Sequence, residues 1–234
     1  MMMSKTYGIV GQGRLAGHLI HYFRLKQMQV VQWHRGLTRP IEHVFLHAEI
    51  VLILINDDEI ESFIKKNPFL KNKILIHCSG SLVTKLAQGF HPHFNFTHQL
   101  YDEKTYDKIP FVVEKGTHSF REIFPQLSNP SYEIAKKDQP LYHALCVMSG
   151  NFPTLLWQVC SKTYSKKMKL PPAFFVPYLQ NCLDEFARDP ANALTGPLVR
   201  NDKKTIEKNL KALKKTPLHD IYKTFVKQYP KMKK

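Results

Sequence analysis

Gly11, Gly13 and Ala16 stand in the spacing Gly-x-Gly-x-x-Ala, within the stretch Tyr7–Gly17. These residue types at this spacing suit the binding of a diphosphate. The first glycine permits a tight turn, the second admits a close approach of the backbone, and the alanine keeps a helix near its strand. Tyr7–Val10, just before the motif, is a short apolar run of the kind found in buried parallel strands. Leu15, Leu19, Ile20 and Phe23, just after it, recur at helical spacing. The motif therefore falls at a strand-to-helix junction. There the free N–H groups and positive dipole end of the helix hold an anion, and Gln12, Arg14 and Leu15 belong to the same loop.

A second strand is read at Gln29–Trp33, followed by His34-Arg35-Gly36. An acid at this position accepts hydrogen bonds from an adenosine ribose, whereas an arginine suits a 2′-phosphate. No acid follows Trp33, so His34 and Arg35, with Arg39 nearby, predict NADP(H) in preference to NAD(H). Between Leu37 and Glu49 there is room for one short helix around Ile41–His47, which predicts an open adenine side. Ile50–Ile55 is a near-continuous apolar strand, ending at Ile55-Asn56-Asp57-Asp58-Glu59. This polar turn opens a helix through Ile64, with Asp57 or Asp58 as N-cap. Lys73–Cys78 reads as the next strand, and its small-residue turn precedes a helix containing Leu82 and Leu86. Ligands of open α/β sheets bind at the carboxyl ends of the strands, which places Ile55, Asn56, Asp57, Ser79 and Gly80 at the cofactor.

Further strands are read at Phe94–Thr97, Phe111–Glu114 and Tyr132–Ala135, with a helix over roughly Ser119–Leu127. From Gln139 onward strand signals stop, and helical apolar spacing runs to the end. The expected architecture is α/β: a Rossmann-like, mostly parallel sheet over residues 1–137, then a smaller all-α domain over 138–234. The second part opens with an apolar helix running from Leu141 towards Cys160. His143, Ser149 and Asn151 interrupt it, and buried polar groups need a partner or a role. Metal binding at His77, His91, His93 and His98 is not expected, because no acid or thiol completes a ligand spacing. Cys78 reads as strand packing.

The chain has 234 residues, 43% hydrophobic and 23% charged, an ordinary globular composition. The run Ile50–Ile55 is far too short to cross a bilayer, and no apolar export signal surrounds Lys5. Cys78, Cys146, Cys160 and Cys182 are scattered, as free thiols of a reducing cytoplasm would be. Residues 201–234 hold 11 Lys against 3 acidic residues, about half of the net +15. Those lysines alternate with Ile206, Leu210 and Leu213, then Leu218, Ile221, Phe225 and Tyr229. This pattern describes two amphipathic helices with solvated faces, so neither nucleic acid nor membrane is an expected partner.

Five stretches in order complete the reading: Val10-Gly11-Gln12-Gly13-Arg14, Ile76-His77-Cys78-Ser79-Gly80-Ser81, Leu141-Tyr142-His143-Ala144, Asn151, and Ala193-Leu194-Thr195-Gly196-Pro197-Leu198-Val199-Arg200-Asn201-Asp202. Together they resemble bacterial oxidoreductases that pair a Rossmann-like domain with a C-terminal helical domain of unknown function. These are distant relatives of pyrroline-5-carboxylate reductase and the β-hydroxyacid dehydrogenases. The resemblance implies an NADP-binding first domain, a helical second domain through which two copies associate, and a substrate cleft between the domains. Two departures stand out: Gln99 follows His98 where the family has proline, and the segment after Arg35 is short. The lysine that serves the β-hydroxyacid dehydrogenases has no counterpart between Tyr142 and Cys160, so their proton transfer is not carried over. Asn151 resembles the asparagine of that helix. His143 stands eight residues earlier, a spacing that shares a face. The expected catalytic set is His143 as proton donor or substrate orienter, Asn151 and Thr195 as hydrogen-bonding groups, His98 in support and Arg200 on a substrate carboxylate. The expected function is NADP(H)-dependent hydride transfer to or from a small carbonyl, imine or hydroxy acid. The alternative is a non-catalytic nucleotide-binding regulatory or interaction protein on the same fold.

Overall fold

The computed structural model describes residues 5–232. Strand β1 (Thr6–Val10) leads into helix α1 (Arg14–Leu25), then β2 (Gln29–Trp33), a single turn α2 (Ile41–Val44), β3 (Ile50–Ile53), α3 (Asp57–Lys66) and β4 (Ile74–His77). There follow β5 (Gln88–Pro92), α4 (Glu103–Asp107), β6 (Phe111–Glu114), α5 (Phe120–Ile123) and β7 (Ser131–Ile134). The strands form one sheet in the order β2-β1-β3-β4-β5-β6-β7. All neighbours are parallel except β5 and β6. This is the Rossmann-like, mostly parallel α/β sheet that the sequence predicts.

Side chains alternate across the central strands and so build two cores. Tyr7, Ile9, Ile50 and Leu52 pack with Leu19, Tyr22 and Phe23 of α1. Val10, Val51 and Ile53 pack on the other face with Ile41, Phe45, Ile60 and Ile64. Because β2 and β3 lie on opposite sides of β1, chain order reverses there, and the crevice between β1 and β3 opens at their carboxyl ends. Helix α1 is anchored from behind by buried His18, whose ring nitrogens lie 2.7 Å from the Tyr106 hydroxyl and 2.9 Å from the Thr97 carbonyl.

Several elements differ from expectation. Residues 82–86 form no helix: Ser79 Oγ accepts from the Leu82 amide at 2.9 Å and Thr84 Oγ1 from the Leu86 amide at 3.2 Å. Such local side-chain bonds compete with the helical ladder. The strand expected at Phe94–Thr97 lies earlier, at β5. The chain turns away after Pro92, through a Phe94 amide bond to the Pro92 carbonyl, and Phe94 and Phe96 pack on Tyr101 instead. Helix α3 is preceded at its N-cap by Asn56, which makes no side-chain cap bond, so neither Asp57 nor Asp58 caps it. Helix α5 is only a single turn, started by a Ser119–Glu122 capping box and stopped short of Pro125.

A long helix follows: α6 (Gln139–Cys146), a π-turn over Val147–Asn151, and α7 (Phe152–Met168). The chain divides into two units, the first ending at Leu155 and the second beginning at Leu156. Helix α6 packs on β5 and on the turn after β4, so the start of this helix belongs with the sheet. The second unit contains the rest of α7, then α8 (Val176–Arg188), α9 (Lys203–Leu213) and α10 (Leu218–Met232). Within it, Phe175 is buried against Tyr164, Asp202 caps α9 through the Thr205 amide at 3.1 Å, and Asn209 donates to Tyr222 at 3.0 Å. Among the described residues no helix is long and apolar enough to cross a membrane.

Candidate functional site

The β1–α1 turn is built around Gly11. Its φ of +118° lies in the region that favours glycine, and a Cβ there would stand 2.2 Å from the Leu54 carbonyl oxygen. Both neighbouring strands hold the turn. The Gly11 amide donates to Trp33 at 2.9 Å, the Leu54 amide to Val10 at 2.8 Å, and Gln32 Nε2 to the Gly11 carbonyl at 2.8 Å. Gly13 occupies the N-cap of α1, and no side chain caps that end. A Cβ on Gly13 would meet nothing within 4 Å. The helix therefore presents uncapped backbone N–H groups to open space, and Ala16 is fully buried behind them.

That space is a cavity of about 700 Å³. Gly11, Gln12, Gly13, Arg14, Leu15, Ala16, His34, Arg35, Ile55 and Asn56, which the sequence places at a cofactor, line it. Asp57, Ser79 and Gly80 do not. Trp33, Glu59, Ser62, Phe63, Lys66 and Phe96 line it without having been singled out. Asn56, Glu59, Phe63 and Lys66 recur at three- and four-residue spacing, one face of α3, which is the signal that would have found them. The groove thus has a glycine turn and an open helix end on one side. Trp33 and Phe63, their rings 6.0 Å apart, lie with the charged Arg35, Glu59 and Lys66 on the other.

Arg35 is not alone at the end of β2. Its Nη2 lies 3.0 Å from both carboxylate oxygens of Glu59, and Asn56 Nδ2 donates to one of them at 3.2 Å. The acid missing from the sequence after Trp33 is supplied in space by α3, 24 residues further on.

At the β4–β5 end, several polar groups are spent on one another. Ser79 Oγ donates to Asp57 Oδ2 and accepts from the amides of Ser81 and Leu82, so these two expected cofactor residues tie the α3 start to the β4 turn. Gly80 is covered by His143, whose Cδ2 would stand 2.6 Å from a Cβ there. His91 and His93 share the Tyr142 hydroxyl at 2.7 and 3.1 Å, so one ring accepts its proton and the other donates an N–H. Burial, followed by the neighbouring His143 and His93, pushes the His91 imidazole down to about 4. Burial also lowers His77, whose two ring nitrogens have no hydrogen-bond partner among the described residues. The Cys78 thiol is pushed by burial up to about 12, consistent with packing. Among the described residues no group of three His, Cys, Asp or Glu side chains is arranged to hold a metal ion.

The remaining expected residues are dispersed. The π-turn separates His143 from Asn151 and alters the register assumed for a shared face. Asn151 is exposed at the end of that turn, and His143 is half-buried on Gly80. His98 lies in the exposed loop before α4. Thr195 and Arg200 belong to the second unit, exposed in the turns before α9.

Fold and groove define a Rossmann-like α/β protein with a strand-to-helix glycine turn. Residues 109–229 match the model of the domain of unknown function DUF2520, and the chain belongs to that family. A Bacteroides fragilis protein assigned as an NADP oxidoreductase superposes with a TM-score of 0.78 at 19% identity, covering 96% of this chain and 97% of its own. Plasmodium falciparum pyrroline carboxylate reductase, with NADP bound, gives 0.61 at 13% identity, covering 98% of this chain and 100% of its own. A Myxococcus stipitatus imine reductase variant with NAD+ gives 0.62 at 13%, covering 98% of this chain and 95% of its own. These likenesses establish the fold over nearly the whole chain. No curated protein sequence matches it significantly.

Proposed function

We propose that the chain is an NAD(P)H-dependent oxidoreductase, using NADP(H) in preference, that acts on a small carbonyl, imine or hydroxy-acid substrate. The observation that carries this reading is the uncapped N-terminus of α1 behind the Gly11 turn, facing a groove of about 700 Å³. Open N–H groups at a helix N-terminus favour a diphosphate, and the space above Gly13 fits a close backbone approach. Arg14 and Lys66 add positive charge, Arg35 suits a 2′-phosphate, and Trp33 with Phe63 offers apolar surface to a base. Structural neighbours with bound NADP and NAD+ support a pyridine nucleotide of either kind.

When bound, the nicotinamide coenzyme supplies or accepts a hydride. The chain must then orient the substrate and move one proton. His143 is the proposed group for both, standing on Gly80 at the carboxyl edge of the sheet. Asn151 and His98 remain candidate substrate contacts, and Thr195 and Arg200 of the second unit are proposed on the sequence resemblance alone. The test is oxidation of NADPH on adding a panel of carbonyls and imines, with His143→Ala as comparison. Turnover by the native protein and its loss in the variant support the reading. Tight nucleotide binding with no turnover favours a nucleotide-binding regulatory protein, to which the lack of a lysine between Tyr142 and Cys160 also points.

A second copy of the chain is the proposed partner. Leu141, Leu145, Met148, Phe152 and Leu155 are all exposed along α6, the π-turn and the start of α7, apolar surface that a second copy of the chain would cover. Sedimentation of the native protein as a dimer, and of Leu145→Glu as a monomer, tests it.

A further inference from the structure

We infer that the choice between phosphorylated and unphosphorylated coenzyme is set by the Arg35–Glu59 pair, with Glu59 holding the guanidinium against a 2′-phosphate. The inference rests on the nucleotide-binding reading above. Three contacts carry it: both carboxylate oxygens of Glu59 lie 3.0 Å from one guanidinium nitrogen, and Asn56 Nδ2 fixes the carboxylate at 3.2 Å. Arg35, Asn56 and Glu59 all line the same groove.

The chemistry follows from charge. A phosphate monoester carries about −1.5 to −2 at neutral pH, and an arginine recognises it through planar, charge-assisted hydrogen bonds. With Glu59 in place, an approaching phosphate meets a nearly neutral pair and must draw the guanidinium away from a carboxylate already bonded to it. An uncharged ribose 2′-hydroxyl does not compete with the carboxylate for the guanidinium and leaves the pair intact. Glu59 therefore penalises the phosphorylated coenzyme relative to the unphosphorylated one, while Arg35 does the reverse. The Arg35 side chain is 77% exposed and that of Glu59 36%, so solvent screens the pair and its effect is modest. The protein discriminates weakly, and a change at either partner tips the balance.

The test measures binding of 2′,5′-ADP and 5′-AMP, and of NADPH and NADH, by calorimetry to the native chain and its variants. Glu59→Gln keeps the shape and removes the charge. It is expected to raise the preference for the 2′-phosphorylated member of each pair about fivefold. Arg35→Ala is expected to abolish that preference, and adding Glu59→Gln to Arg35→Ala to change it by less than about twofold. Both positions are on the surface, and an unchanged melting temperature checks that each variant is folded. If all nucleotides bind but Glu59→Gln leaves the preference unchanged or lowers it, the inference is overturned and the groove reading stands. The same gain with and without Arg35 also overturns it, because Glu59 would then act on the phosphate directly. If no nucleotide binds to any form, the inference and the groove reading are both overturned.

Discussion

The carboxyl edge of the sheet has two ends of opposite character. At the β1 end the backbone is held in a turn that only glycine accommodates readily, and the N–H groups of α1 are left uncapped. At the β4–β5 end several polar side chains are committed to neighbours, Ser79 to Asp57 and His91 and His93 to Tyr142, whereas the buried His77 ring nitrogens and Gln139 Oε1 have no partner among the described residues. Polar groups left open at the head of a cavity mark where a ligand belongs, whereas polar groups bonded to each other mark a frame. The difference teaches that glycine at the two ends does different work. Gly11 permits a backbone shape, Gly13 leaves room for a ligand, and Gly80 leaves room for His143.

The sharpest way to break this comparison is Gly11→Ala. A side chain at φ +118°, 2.2 Å from a backbone oxygen, should destabilise the fold by at least about 3 kcal/mol in urea denaturation. An unchanged midpoint would show that the turn is not under this constraint.

Acidification should act on the other end. His91 titrates at about 4 in the fold against about 6.5 when unfolded, so between these values the unfolded chain binds more protons. Stability is complete above about pH 6.5 and falls as pH drops towards 4, by on the order of 3 kcal/mol for this group. Burial of His77 acts in the same direction. His91→Asn should flatten the profile measured by denaturation over that range, and an equally steep profile in the variant would refute the assignment.

A smaller effect is expected at Gly80→Ala. Overpacking against His143 should destabilise by about 1–3 kcal/mol, and most of that should return in the Gly80→Ala/His143→Ala double variant. Strict additivity of the two changes would show that the contact is not made.

Much of the first end was legible in the sequence. The Tyr7–Val10 run, the Gly-x-Gly-x-x-Ala spacing and the α1 periodicity are local signals, and Phe111–Glu114 carries its own apolar pattern. Strand β5 was not legible, because Gln-Gly-Phe-His-Pro spells a loop. It is a strand only by virtue of its partners β4 and β6. The supposed helix over Leu82–Leu86 had two apolar residues at helical spacing, and Ser79 and Thr84 overrode them with local bonds. Glu59 was missed beside Arg35 because 24 residues separate them and only the fold brings them together. Apolar content predicts a buried helix from Leu141, yet Leu141, Leu145 and Met148 are exposed. Hydrophobicity alone does not say whether a helix meets its own core or a second copy.

The central claim is that the groove at the β1–α1 turn holds a dinucleotide, and Gly13→Glu tests it most directly. The site has an ordinary φ of −69° and no atom within 4 Å of a Cβ, so the variant should melt with the native protein. Its carboxylate would stand where the diphosphate belongs, and NADPH and NADH binding by calorimetry should weaken at least about a hundredfold. A native protein that binds neither nucleotide, or a folded variant that binds both as tightly as the native one, would contradict the account.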